Sequence, residues 1–182
     1  GIAAQLVMSG FEVELYDPDG GALERAVARV EKRTAAQEGL VRPLGVHRDV
    51  AAAVAAADLV IEAAPEVLEL KRDLFAQVDA AAPAGAVLAT NTSELSVTFI
   101  AAATKRPESV VGMHWFNPPE RMQLVELVRA VRSGDAAMQA ARDVAERCGK
   151  TVVTVEDRQG FVTTRVVAAV LLEGVRLLEE GV

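Results

Sequence analysis

Short apolar segments alternate with helix-forming ones along almost the whole chain, and few folds accept that order. Gly1–Ser9 has helix character and reaches Gly10, a helix end; Phe11–Tyr16 then alternates apolar and acidic residues up to the turn Asp17-Pro18-Asp19-Gly20-Gly21. Ala22–Glu38 carries Leu23, Ala26, Val27 and Val30 at the spacing of an amphipathic helix, with Arg25, Arg29, Lys32 and Arg33 on its other side. An irregular piece, Gly39–Val46, precedes a helix-prone stretch at Asp49–Ala57 and the apolar strand Asp58–Ala63. Leu68–Val78 reads as helix, Ala86–Thr92 as strand, Ser96–Ala103 as helix and Val110–Phe116 as strand. Gln123–Val128 is a further strand, Asp135–Cys148 a helix ending at Gly149, Thr151–Glu156 a strand and Phe161–Glu180 a long helix.

Strands that alternate with helices predict an α/β fold with a doubly wound, mostly parallel sheet of Rossmann type. One connection is too short for that rule. Val110–Phe116 and Gln123–Val128 are joined by a loop around Asn117-Pro118-Pro119, about six residues, whereas a parallel crossover needs about a dozen or more. The sheet is therefore expected to carry an antiparallel hairpin at one edge.

Composition narrows the partners. The chain has 182 residues, 51% of them hydrophobic, which is enough for a buried core. Asp and Glu number 26 against 19 Lys and Arg, a net charge of −7, so neither nucleic acid nor an anionic membrane is an expected partner. The single cysteine, Cys148, rules out a disulfide framework and a cysteine-based zinc knuckle, and no metal is expected. No apolar run has the length of a membrane span.

Two features carry chemistry. Asp17 closes a strand at the place where a dinucleotide fold puts a carboxylate against the adenosine ribose, a position that favours NAD over NADP. In isolation, an Asp before Pro and Gly reads as a turn residue. His114, one of two histidines, ends a strand just before the proline loop, and Glu126 lies on the returning strand. Hairpin geometry brings residues on opposite arms within about 5 Å, close enough for a hydrogen-bonded pair. A carboxylate on one ring nitrogen leaves the other as general base. A structural histidine beside a surface glutamate is the plainer reading of the same residues.

The segment Gly112-Met113-His114-Trp115-Phe116-Asn117-Pro118-Pro119 resembles the active-site segment of the 3-hydroxyacyl-CoA dehydrogenases, including the 3-hydroxybutyryl-CoA dehydrogenases. The likeness continues in Asp58-Leu-Val-Ile-Glu-Ala63, Glu66 with Lys71, Thr90-Asn91-Thr92-Ser93, Gly149-Lys150-Thr151 and Gly160-Phe161. The resemblance implies NAD as cofactor and an acyl-CoA as substrate, in fatty-acid or short-chain acyl-CoA metabolism. His114 would take the proton of a 3-hydroxyl while C3 gives hydride to nicotinamide, and Glu126 would orient His114. Ser93 would hydrogen-bond the reacting oxygen or thioester, with a helix N-cap as its structural alternative. Asp17, Glu66, Lys71 and Ser93 would line the NAD site, although an exposed helix lysine is the plainer reading of Lys71. Asn117 would brace the loop below His114.

The chain departs from the pattern in three places. No Gly-rich turn is present, so it is expected upstream of Gly1, and the chain alone is expected to bind NAD poorly and to be inactive. Thr164, followed by Arg165, stands where the family pattern has an asparagine that helps hold the substrate carbonyl. The helical excursion after Asp17 is short; its basic face could meet CoA phosphates, though a solvated face is preferred.

Residues 1–158 are expected to form the NAD-binding domain, and 159–182 the start of a helical C-terminal domain that would mediate a homodimer. An exposed apolar face along Leu171–Leu178 and an open edge beside the Asp17 strand should follow. The expected compartment is cytoplasmic. Two alternatives stand beside the enzyme: a catalytically silent homologue, favoured by Thr164, and a related dehydrogenase of a non-CoA hydroxy acid, favoured by the short excursion.

Overall fold

The structure, a computed structural model, describes residues 1–35 and 44–182. In chain order the elements are α1 (Ile2–Met8), β1 (Val13–Tyr16), α2 (Gly20–Thr34), β2 (Leu44–His47), α3 (Val50–Val54), β3 (Leu59–Glu62), α4 (Leu68–Ala81) and β4 (Val87–Thr90). They continue with α5 (Val97–Ala101), β5 (Val110–Trp115), β6 (Leu124–Arg129), α6 (Asp135–Arg147), β7 (Thr151–Glu156) and α7 (Thr163–Glu179).

Local chemistry starts two helices near the expected positions, α2 two residues before Ala22, inside the expected turn. Asp19 caps α2 by accepting from the Gly21 N–H at 2.8 Å, and Asp49 caps α3 by accepting from Ala52 at 2.8 Å. The expected end of α2 at Glu38 lies outside the described residues, as do positions 39–43 of the piece expected to be irregular. The rest of that piece is not irregular: Leu44, Gly45 and Val46 belong to β2, which pairs in parallel with β1.

Strands β3-β4-β5-β6-β7 form one sheet, parallel except for the β5–β6 hairpin. The hairpin lies toward one edge, and β7 completes that edge by pairing in parallel with β6. Strands β1 and β2 form a separate two-stranded sheet. Among the described residues β1 pairs only with β2, and β3 only with β4, so each has one unpaired side, as expected beside the Asp17 strand.

The period of two along the central strands sorts side chains into two layers. Val111, Met113, Trp115, Val125 and Leu127 pack with Ala137, Met138, Ala141 and Ala145 of α6 on one face. Leu88, Val110 and Val128 pack on the other face with Val97 and Ile100 of α5 and Phe75 and Val78 of α4. His114 and Glu126 alternate with the α6-facing residues and so lie on the α5 side. The helix α7 has no buried residue, and Val170, Leu171 and Leu178 are 66%, 65% and 77% exposed, which is the expected apolar face. Among the described residues no helix is long and apolar enough to cross a membrane.

Candidate active site

The parallel strands β1, β3 and β4 end, at their carboxyl edge, in Tyr16, Glu62 and Thr90, and the residues singled out from the sequence follow directly: Asp17, Glu66, Ser93. Crevices at that edge are where open α/β sheets bind ligands. His114 is the penultimate residue of β5, on the same side of the sheet as α5.

His114 and Glu126 are direct register partners across the antiparallel β5–β6 ladder. The His114 Nδ1 lies 2.8 Å from Glu126 Oε2. Both are buried, at 6% and 1% exposure. A carboxylate can only accept, so Nδ1 carries the proton and the lone pair of the neutral ring sits on Nε2. Among the described residues Nε2 makes no hydrogen bond. Phe116 and Phe161 flank the imidazole, with ring centroids 4.6 Å and 5.8 Å away. Burial pushes the Glu126 carboxyl up, but hydrogen bonds from His114 and from the N–H and hydroxyl of Thr163 outweigh it and hold the group below its ordinary value. The result is an ionised carboxylate gripping the imidazole at Nδ1.

Glu66 organises the loop after β4. Its Oε1 accepts from the Thr92 hydroxyl and from the N–H groups of Ser93 (2.8 Å) and Glu94 (3.2 Å). Burial raises this carboxyl, yet the Thr92 and Ser93 hydrogen bonds and the Lys71 charge bring it below its usual value. Lys71 is not the exposed helix lysine that its position on a helix suggests; it is 1% exposed, with Nζ 2.8 Å from Glu62 Oε1, 3.0 Å from the Ala64 carbonyl and 3.3 Å from Glu66 Oε2. The other Glu62 oxygen accepts from the Thr90 hydroxyl at 2.7 Å. A buried cation thus ties the loops after β3 and β4 to α4.

Ser93 is exposed, and its carbonyl accepts from the Thr164 hydroxyl at 3.1 Å. The N-cap reading of Ser93 fails: Ser96 caps α5, accepting from the Phe99 N–H at 3.3 Å, and Asp157 reinforces that turn through Ser96, Val97 and Thr98. The loop below His114 is braced by other residues than Asn117. Lys150 Nζ donates to the carbonyls of Pro119 (2.5 Å) and Met122 (3.0 Å), and the Trp115 N–H donates to Asn91 Oδ1 at 2.8 Å. Arg33, on the basic face of α2, is committed to Glu120 in the same loop at 2.6 Å rather than left to solvent.

The structure therefore joins Glu66, Ser93 and Thr164 in one network, and His114, Glu126 and Thr163 in the next, with neighbouring residues of α7 in each. Asp17 stands apart on the smaller sheet, its Oδ1 accepting from the Asp19 N–H at 2.9 Å as in an Asx turn. Two of these residues had no role assigned from the sequence: Glu62 lies inside the segment Asp58–Ala63, and Thr163 two residues after Gly160-Phe161.

Comparison with known proteins gives a consistent answer. The chain is 35% identical, over its whole length, to a probable 3-hydroxybutyryl-CoA dehydrogenase of Bacillus subtilis, of which it spans 67%. It is 38% identical to the 3-hydroxyadipyl-CoA dehydrogenase of Escherichia coli, spanning 40% of that longer protein. The crystal structure of (S)-3-hydroxybutyryl-CoA dehydrogenase from Ralstonia eutropha superimposes with a TM-score of 0.90 at 31% identity, covering 99% of this chain and 67% of that one. The family profile of the 3-hydroxyacyl-CoA dehydrogenase NAD binding domain matches residues 1–158. The chain belongs to the 3-hydroxyacyl-CoA dehydrogenase family and carries its NAD-binding domain.

Proposed function

We propose that this chain forms the nucleotide-binding part of an enzyme that reversibly oxidises an (S)-3-hydroxyacyl-CoA to the 3-oxoacyl-CoA, and that His114 is its general base. The observation that carries the reading is the buried 2.8 Å contact between His114 Nδ1 and Glu126 Oε2, which leaves Nε2 as the basic nitrogen. In the forward direction Nε2 takes the proton of the 3-hydroxyl. Glu126 keeps Nδ1–H in place and offsets the charge of the imidazolium that results.

NAD fits the residues present: the carboxylate of Asp17, the Glu66 loop and Ser93 all follow the carboxyl ends of parallel strands. When bound, NAD supplies the hydride acceptor. Asp17 would accept from the ribose hydroxyls with its remaining oxygen, and Glu66 would hold Ser93 where its hydroxyl meets the reacting oxygen. Lys71 would serve the cofactor site from behind, by fixing Glu66. Thr164 spends its hydroxyl on the Ser93 carbonyl, so it would steady the Ser93 loop. The exposed apolar face of α7 would be covered by a helical domain that also forms the homodimer, and the enzyme would work in the cytoplasm on short-chain or fatty acyl-CoA.

The test is NADH oxidation by the full-length protein with acetoacetyl-CoA and, in parallel, with acetoacetate. Turnover of the thioester at a kcat/KM far above that of the free acid is expected. Turnover of the acid alone would overturn the CoA assignment.

A further inference from the structure

The two oxygens of Glu126 have more donors than His114 alone. Oε2 accepts from His114 Nδ1 and from the Thr163 hydroxyl, each at 2.8 Å. Oε1 accepts from the backbone N–H groups of Thr163 (2.9 Å) and Val162 (3.2 Å). Successive N–H groups at the start of a helix make an anion-binding concavity, and here the anion is a side chain of the same protein. The approach is set by Gly160 and Phe161, at φ of +72° and +46°. A bulky residue in the left-handed region is sterically disfavoured, and Phe161 is held there with its side chain 3% exposed in the core.

We propose that Thr163 is a positioning residue for the His114–Glu126 pair: with Val162 it makes the start of α7 a clamp that fixes the carboxylate plane and keeps it charged. The inference rests on the reading of His114 as base. With two donors on each oxygen, Glu126 is stabilised as the carboxylate, so the imidazolium formed when His114 takes a proton faces a fixed negative charge. The clamp also makes the pair complete only while α7 is docked at its first turn. The charged groups on the surrounding elements are few. On β5 the pair faces His114 itself, and β7 offers the uncharged Val153 as register partner. Asp157 beyond β7 is committed to the α5 turn, while Arg158, Arg165 and Glu94 are exposed. Donors on Glu126, rather than distant charges, therefore set its protonation.

Thr163→Val keeps the shape and both backbone donors but removes the hydroxyl. Oε2 is then left to His114 alone and holds the imidazolium more tightly, which moves the acid limb of the kcat/KM profile to higher pH, measured in the direction of 3-hydroxyacyl-CoA oxidation by NAD. A move of about one pH unit is expected, a loss of about tenfold at a fixed pH on that limb, with KM little changed. Thr163→Ala should behave in the same way, and Thr163→Ser should restore the wild-type profile. The proposal is overturned if the Val and Ala variants overlay the wild type, or if Ser fails to restore the limb, while His114→Gln is inactive. If His114→Gln is itself active, the reading of the base falls and this inference with it.

Discussion

The ammonium of Lys71 stands 2.8 Å from a carboxylate oxygen of Glu62, with both side chains closed off from solvent. Breaking a buried pair by removing one partner leaves an uncompensated charge, which costs about 3–5 kcal/mol. Lys71→Met should lower unfolding stability by about that amount in urea titrations. Lys71→Met combined with Glu62→Leu should recover much of the loss, because no buried charge then remains. A double variant no more stable than the single one would show that the pair does more than neutralise itself.

Glu126 and Glu66 both have carboxyls held below the ordinary value of 4.5. A group whose pKa is depressed on folding adds stability above its unfolded pKa and loses it as pH falls through the folded value. The urea midpoint should thus be flat above about pH 5 and fall as the solution is acidified below about pH 4.5. Glu66→Gln should make that fall shallower. An unchanged slope would mean that other carboxylates dominate the acid transition.

Gly112 faces Val128 across the hairpin, and a Cβ placed on it would lie 2.7 Å from Val128 Cβ and 3.0 Å from Val97 Cγ2. These neighbours are fully buried β-branched residues with little room to shift. Gly112→Ala should destabilise the protein by about 1–3 kcal/mol through overpacking, measured by thermal or urea unfolding. Because Gly112 is two residues from His114, kcat should fall as well. Wild-type stability in this variant would show that β5 and β6 can separate at that point.

Asp17 keeps one carboxylate oxygen free of the Asx turn with Asp19. Asp17→Ala should weaken NADH binding about tenfold, the loss expected for a hydrogen bond to a charged acceptor. Asp17→Asn should narrow the preference for NADH over NADPH, since the repulsion of a 2′-phosphate is gone. Fluorescence titration with both nucleotides measures this; equal affinities before and after substitution would remove Asp17 from the site.

The parts of this molecule that were legible in the sequence are those with a local signature. The spacing of Leu23, Ala26, Val27 and Val30 and the six-residue proline loop each follow from neighbouring residues, and they made α2 and the antiparallel turn foreseeable. The strand β2 did not, because Leu44-Gly45-Val46-His47 has no pattern of its own. It becomes a strand by pairing with β1, with Gly45 opposite Glu14 and His47 2.6 Å from the Glu14 carboxylate. The same holds in the site. Register made the His114–Glu126 pair foreseeable from spacing, whereas the Thr163 contact spans 37 positions and the Lys71–Glu62 pair depends on how α4 packs on β3. A helix lysine with apolar neighbours and a buried one look alike until the sheet is in place.

The proposed base is His114, oriented by Glu126. Its most direct test compares wild-type and His114→Gln full-length protein in two measurements: NADH oxidation with acetoacetyl-CoA, and NADH binding by fluorescence. A fall in kcat of about 10²–10⁴-fold is expected, the range for loss of a positioned acid–base group, with NADH affinity unchanged. Turnover of the Gln variant at the wild-type rate would contradict it.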